Sequence, residues 1–135
     1  MKIKLLILTI IGLSLSFCGP YLTCADIKTG SFYMIYSDKD SVLMERKGNV
    51  QIEYSNITDK ENGAYSNLEW IDGCTYILKF DETKHKLNKS QQLVNDNNGL
   101  VVTQAKINDR CMGYRAVLTL ANGKSKAKTG KICLE

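Results

Sequence analysis

An alternating apolar stretch from Cys74 to Phe80 constrains the fold of this chain more than any other feature. Successive side chains of a β-strand point to opposite faces, so this pattern predicts a strand with one strongly apolar face. The residues on that face are Cys74, Tyr76, Leu78 and Phe80. Trp70 precedes the stretch, and Asp72-Gly73 between them indicates a tight turn or a bulge. We therefore expect Leu68–Phe80 to form the spine of a β-rich core.

Other short apolar or aromatic segments follow one another at near-regular spacing. Together with the spine they predict about eight strands, at Ser31–Ser37, Val42–Arg46, Val50–Tyr54, Tyr65–Ile71, Cys74–Phe80, Leu100–Ile107, Cys111–Leu120 and Ser125–Leu134. Asn122-Gly123 is a strong hairpin signal between the last two strands. The polar segment Asn56–Gly63 is predicted to be a connection. In Val50–Tyr54 the apolar residues are expected to face inward, which leaves Gln51 and Glu53 facing outward.

These strands predict an all-β fold, a single small antiparallel meander or lipocalin-like barrel. Closure of a barrel removes the exposed sheet edges, although a sandwich remains open at this stage. The alternative is an α+β fold, with a short helix around Ser90–Asn95 lying across a curved sheet. We expect side chains to fill the barrel rather than leave room for a ligand. The aromatic residues that would otherwise line a cavity are Phe32, Tyr36, Tyr76, Phe80 and Tyr114.

The N-terminal residues have the layout of a secretory signal peptide. Lys2 and Lys4 precede the uncharged run Leu5–Leu15, which is shorter than the roughly 20 residues of a spanning helix. We assign residues 1–18 to a signal peptide whose cut lies between residues 17 and 25, and residues 24–135 to a single β-rich domain.

Cys18 follows a degenerate lipobox and is a candidate lipidation site. Cleavage near Cys18 without lipidation and cleavage after Ala25 remain alternatives. The chain has five cysteines, and removal or lipidation of Cys18 leaves an even set that suits an oxidising compartment. We therefore expect an exported protein in the periplasm, the outer envelope or the extracellular space.

Four cysteines allow three pairings, and the last hairpin favours one of them. A turn centred on Asn122-Gly123 brings Cys111 and Cys133 roughly opposite one another. We therefore favour disulfides Cys111–Cys133 and Cys24–Cys74.

Charge and motif content argue against several functions. Without Lys2 and Lys4 the formal charge falls from +4 to +2, which is too small for a nucleic-acid footprint. The sole histidine, His85, lies in a polar segment and is expected to be solvated. The sequence contains none of the motifs HExxH, GxSxG or CxxC. We expect neither an enzyme nor a bound metal or cofactor.

Two polar groups are candidates for contact with a partner. The first lies on two strands across the 47–49 turn, where it forms either a recognition cluster or a cross-strand ion pair. The second is a run of lysines in the last hairpin, which either binds an anionic surface or guards an edge strand against aggregation. The candidate partner-binding residues are Arg46, Gln51, Glu53, Lys124, Lys126 and Lys128.

Four local patterns occur together: Cys24-x5-Gly30-x-Phe32, Arg46-x-Gly48-x-x-Gln51-x-Glu53, Trp70-x3-Cys74-x-Tyr76 and a later Gly113-Tyr114 hairpin. The set resembles a family of small bacterial exported, lipoprotein-like proteins of unknown function. The resemblance implies an exported bacterial domain and a structural role for Cys24 and Cys74, and it supplies no active site.

The expected function is binding without catalysis. We predict a monomer that acts on a protein or an envelope component and touches a membrane only through an N-terminal lipid. The alternative is a carrier of a small apolar ligand. An internal cavity with few polar groups would favour the carrier, whereas a solid core with a flat surface patch would favour the partner-binding domain.

Overall fold

A computed structural model of the protein describes residues 22–56 and 59–135. The predicted signal peptide and the candidate lipidation site Cys18 lie outside these residues. Eight strands and one helix follow one another along the described chain: β1 (Gly30–Ser37), β2 (Asp40–Lys47), β3 (Val50–Asn56), β4 (Asp59–Trp70), β5 (Thr75–Phe80), α1 (Lys89–Asp96), β6 (Leu100–Lys106), β7 (Cys111–Thr119) and β8 (Ser125–Leu134).

The strands form a closed antiparallel barrel in which every strand pairs with its neighbours in sequence. Pairing of β8 with β1, from Phe32 opposite Leu134 to Ile35 opposite Lys131, closes the sheet. The prediction of an all-β, lipocalin-like barrel of eight strands is thereby confirmed. The helix of the α+β alternative is present, but it accompanies a closed barrel rather than an open curved sheet.

Helix α1 begins at a capping box. The Asn88 side chain accepts hydrogen bonds from the backbone N–H groups of Ser90 and Gln91, and the Gln91 side chain accepts one from the Asn88 backbone. Such a reciprocal arrangement satisfies backbone donors that a helix start leaves unpaired. At its other end, Asn95 bonds the backbone of Phe80 through both its amide oxygen and its amide nitrogen. These bonds hold α1 against the end of β5.

Strand β4 begins earlier than the sequence predicts. The sequence predicts that the polar segment Asn56–Gly63 is a connection, yet β4 already runs from Asp59 and pairs with β3. Gly63 lies opposite Tyr54, and a Cβ atom there would come within 2.5 Å of Ile52 Cγ2. Backbone pairing with β3 thus extends the strand through a segment whose sequence has no apolar alternation.

One end of the barrel is filled and covalently clamped. The segment before β1 covers this end, where Leu22 and Ile27 are buried. Apolar side chains from several strands fill the interior there, chiefly Phe32, Met44, Met112 and Ile132. Cys24 pairs with Cys74, and Cys111 pairs with Cys133 directly across β7 and β8. Both pairings match those favoured from the sequence.

Candidate functional site

The opposite end of the barrel contains an open cavity of about 760 Å³. Its wall is mostly apolar and comes from β1, β5, β6 and β7, with Met34, Leu78, Val102 and Ala116 among its residues. Helix α1 contributes Leu93 and Val94 at the rim. A volume of this size lies within the range of about 300–1,000 Å³ found for small-molecule sites.

The expectation that side chains fill the barrel is wrong for this half of the molecule. Near the opening, an inward position of β7 carries Ala116, whose side chain reaches only a short way into the interior. Lys126 and Lys128 occupy inward positions of β8 and are exposed. The small side chain of Ala116, together with lysine side chains that extend towards water, leaves the centre of this half open.

A chain of polar side chains forms the floor of the cavity. The Arg46 guanidinium donates to Gln51 Oε1 at 2.8 Å, to the Ile27 carbonyl at 2.9 Å and to the Tyr76 hydroxyl at 2.5 Å. Gln51 Nε2 then donates to Glu53 Oε1 at 2.7 Å, and the Tyr36 hydroxyl donates to Glu53 Oε2 at 2.9 Å. The chain runs from the buried Arg46 outward to Tyr36, which is 45% exposed.

Arg46 is a charged group enclosed by aromatic rings. Its side chain is 1% exposed, and its guanidinium carbon lies 4.9 Å from the Tyr76 ring centre and 5.8 Å from that of Trp70. Burial lowers the pKa of Arg46, which the nearby Tyr76 and Glu53 partly oppose. Because an arginine starts from so high a pKa, it keeps its charge here. Arg46 is thus a fixed buried cation beneath the cavity.

Three tyrosines around the cavity are held in their neutral form. Burial, followed by the negative charge of Glu53, raises the pKa of Tyr114 to about 12. Desolvation of the hydroxyl and the adjacent Glu53 carboxylate raise the pKa of Tyr36 well above its ordinary value. Burial also raises the pKa of Tyr76, against the opposing effect of Arg46. These hydroxyls therefore remain hydrogen-bond donors at neutral pH.

The structure brings the first candidate group together but places it inside the barrel. Arg46 and Gln51 are 1% and 0% exposed, and Glu53 is half-buried. The predicted facing of β3 is therefore wrong, since Gln51 and Glu53 point inward. Apolar alternation predicts that polar side chains face water, whereas these polar side chains form hydrogen bonds with one another inside the barrel. A flat protein surface cannot reach Arg46 or Gln51 in this arrangement.

The second candidate group separates in the structure. Lys126 and Lys128 line the mouth of the cavity, whereas Lys124 lies in the turn before β8. Register explains this placement, because Lys126 is opposite Leu118 and Lys128 is opposite Ala116, two buried inward residues. Directly opposed residues share a face of the sheet. The Asn122-Gly123 turn already predicts this register, so the inward lysines could have been found from the sequence.

The predicted aromatic residues divide between cavity and core. Tyr36, Tyr76, Phe80 and Tyr114 line the cavity, whereas Phe32 is buried in the filled end. Sequence reasoning missed the hydrogen bonds of Tyr36 and Tyr76 to the floor, and it missed α1 as part of the rim.

The sequence predicts that His85 is solvated, but in the structure this side chain has contacts within the protein. It is half-buried, and its ring lies 6.4 Å from those of Tyr65 and Phe80. Its Nδ1 accepts a hydrogen bond from the Tyr65 backbone N–H at 3.3 Å, so it helps to fix the segment between β5 and α1. Within residues 22–56 and 59–135, no cluster of three or more His, Cys, Asp or Glu side chains could hold a metal ion. In the same part of the chain, no helix has the length and apolar character needed to cross a membrane.

Comparison of the chain with models of protein families, with curated proteins and with solved structures found no match.

Proposed function

We propose that this domain binds a small ligand with an apolar body inside the open half of the barrel. The observation that carries the proposal is the cavity of about 760 Å³, whose wall is mainly aliphatic and aromatic. Apolar surface removed from water contributes roughly 25 cal/mol per Å², so a ligand that covers this wall gains affinity from burial alone. Of the two functions expected from the sequence, this arrangement favours the ligand carrier.

The polar floor supports a role in recognition. The Glu53 carboxylate already accepts from Gln51 and Tyr36, and Arg46 is fixed by three hydrogen bonds. Groups held in this way need little reordering when a ligand arrives, which reduces the entropic cost of binding. We propose binding rather than catalysis, with Glu53 and the tyrosines acting to orient the ligand.

The proposed place of action is outside the cytosol. The two cysteine pairs suit an oxidising compartment, and the basic and apolar N-terminal residues have the layout of an export signal. Action on a protein or envelope partner, and membership of the exported family that the sequence resembles, stay predictions.

A neutral fluorescent dye, N-phenyl-1-naphthylamine, tests the cavity without favouring any head-group charge. We expect saturable binding to one site, and about a tenfold or greater loss of affinity in Ala116→Phe, where a ring would occupy the open space. The matched control is Val117→Phe on the same strand, because residue 117 lies on the outer face between Val101 and Ala127. Equal affinity in both variants, or no saturable binding by the unaltered protein, would contradict the proposal.

A further inference from the structure

The mouth of the cavity carries two lysines that point inward. Lys126 and Lys128 share the face of Leu118 and Ala116, and both line the opening. The ion pairs found among the described residues join Lys60 to Glu45 and Lys106 to Asp109, and neither includes these two lysines. Their ammonium groups are therefore free to meet a charged group of a ligand.

The acidic group in the same cavity is already engaged. Glu53 accepts one hydrogen bond at each carboxylate oxygen, from Gln51 and from Tyr36. Through Gln51 it is linked to the buried cation Arg46. Both oxygens of Glu53 thus have a donor within the protein, and Arg46 lies near enough to interact with the carboxylate charge. The ion pairs of the described residues include neither Lys126 nor Lys128.

Lysine chemistry suits this position at the boundary between the apolar wall and water. The aliphatic stem of a lysine packs on apolar surface while its ammonium group stays solvated. In Lys126 and Lys128 the stems can extend the apolar wall and present two cationic groups at the rim. An anion held there would keep its contact with water, so its desolvation cost is smaller than in the interior.

We propose that the ligand is an amphiphile whose anionic head, a carboxylate, sulfate or phosphate, meets Lys126 and Lys128 while its apolar chain occupies the cavity. This inference rests on the proposed function and adds the chemical class of the ligand. A cationic head would encounter two like charges at the rim before it reached the single carboxylate of Glu53. A neutral head would leave both lysines without a new partner.

A series with one chain and different heads tests the charge preference: dodecanoate, dodecyl phosphate, dodecanol and dodecyltrimethylammonium, each kept below the concentration at which it forms micelles. Affinity is measured by displacement of N-phenyl-1-naphthylamine. We expect the two anions to bind about tenfold or more tightly than dodecanol at low salt. The difference should narrow as ionic strength rises, because the lysines are exposed to solvent.

Charge-matched variants assign the preference to the mouth. Lys126→Gln/Lys128→Gln should lose the preference for anions yet still bind dodecanol. The control Lys124→Gln/Lys131→Gln removes the same charge from the turn and from a position opposite Gly113, and it should keep the preference. An equal loss in both double variants would show that net charge alone is responsible and would overturn the inference.

Other outcomes separate this inference from the function on which it rests. If dodecanol or dodecyltrimethylammonium binds as tightly as dodecanoate, the charge preference is wrong while ligand binding in the cavity stands. Association with phosphatidylglycerol vesicles that Ala116→Phe leaves unchanged would place the lysines at a membrane surface, and it would also overturn the inference. If no member of the series displaces the dye and Ala116→Phe binds the dye normally, the cavity function fails as well.

Discussion

Replacement of Arg46 by methionine should destabilise the barrel by about 3 kcal/mol. Methionine keeps much of the aliphatic volume but donates no hydrogen bond. The Ile27 carbonyl and Gln51 Oε1 would then lose their donor inside the protein. A buried polar group left unpaired costs about 1–3 kcal/mol. Removal of a charge that is costly to bury offsets part of this loss, which leaves the net figure near 3 kcal/mol.

Urea unfolding followed through Trp70 fluorescence gives the free energy directly, because Trp70 is the only tryptophan and lies 5.8 Å from the Arg46 guanidinium carbon. For a domain of this size the loss corresponds to a fall in Tm of roughly 10 °C. The control is Arg115→Met, on an exposed outward position of β7, where we expect a change within about 0.5 kcal/mol.

Arg46→Lys separates the charge from the geometry of the guanidinium. Lysine keeps the positive charge but lacks the planar fork that reaches Gln51, Ile27 and Tyr76 together. We therefore expect a loss close to that of Arg46→Met. A loss below about 1 kcal/mol in Arg46→Met, or full stability in Arg46→Lys, would refute the argument that the hydrogen-bonded floor holds the barrel together.

Two further predictions follow from close contacts and from the tyrosines. Gly130→Ala should cost about 1–3 kcal/mol in urea unfolding, because its Cβ would lie 2.5 Å from the Tyr114 hydroxyl and 2.7 Å from the Ile35 carbonyl; Gly73→Ala, which meets nothing within 4 Å, is the neutral control. Stability should fall as pH rises from about 10 to about 12, because unfolded tyrosines lose their proton near pH 10 whereas the folded state raises the pKa of Tyr114 to about 12. Ultraviolet absorbance of tyrosinate, followed together with far-ultraviolet circular dichroism, tests the second prediction, and titration of every tyrosine near pH 10 without loss of stability would contradict it.

The strands were predictable because the apolar alternation is local. In β5 and β7 each inward residue is apolar, so the sequence alone marks both the strand and its buried face. The Asn122-Gly123 turn sets the register of β7 against β8, and that register places Cys111 opposite Cys133. Pairings that depend on one tight turn can therefore be predicted without knowledge of the remaining strands.

The cavity and its floor were not predictable from the same rules. Whether a barrel interior is filled depends on side chains from all eight strands at once, and a small inward residue such as Ala116 carries no local signal of the space beside it. The inward facing of Gln51 and Glu53 contradicts apolar alternation in β3, and hydrogen bonds with Arg46 on β2 and Tyr36 on β1 help to satisfy these side chains. A charged residue opposite a buried amide is a tertiary feature that single-strand patterns do not contain.

The division of the barrel into a filled end and an open end has an energetic basis. Both disulfides lie at the filled end and close loops with sequence separations of 50 and 22 residues. In the loop-entropy model, the Cys24–Cys74 link contributes about 4 kcal/mol and the Cys111–Cys133 link about 3 kcal/mol to the free energy of unfolding. With that end clamped, the other half can keep an apolar wall exposed to solvent and still remain folded. A ligand that covers this apolar wall removes it from water, which is favourable. Ligand binding should therefore raise the free energy of unfolding, whereas without a ligand the disulfides help to keep the barrel folded.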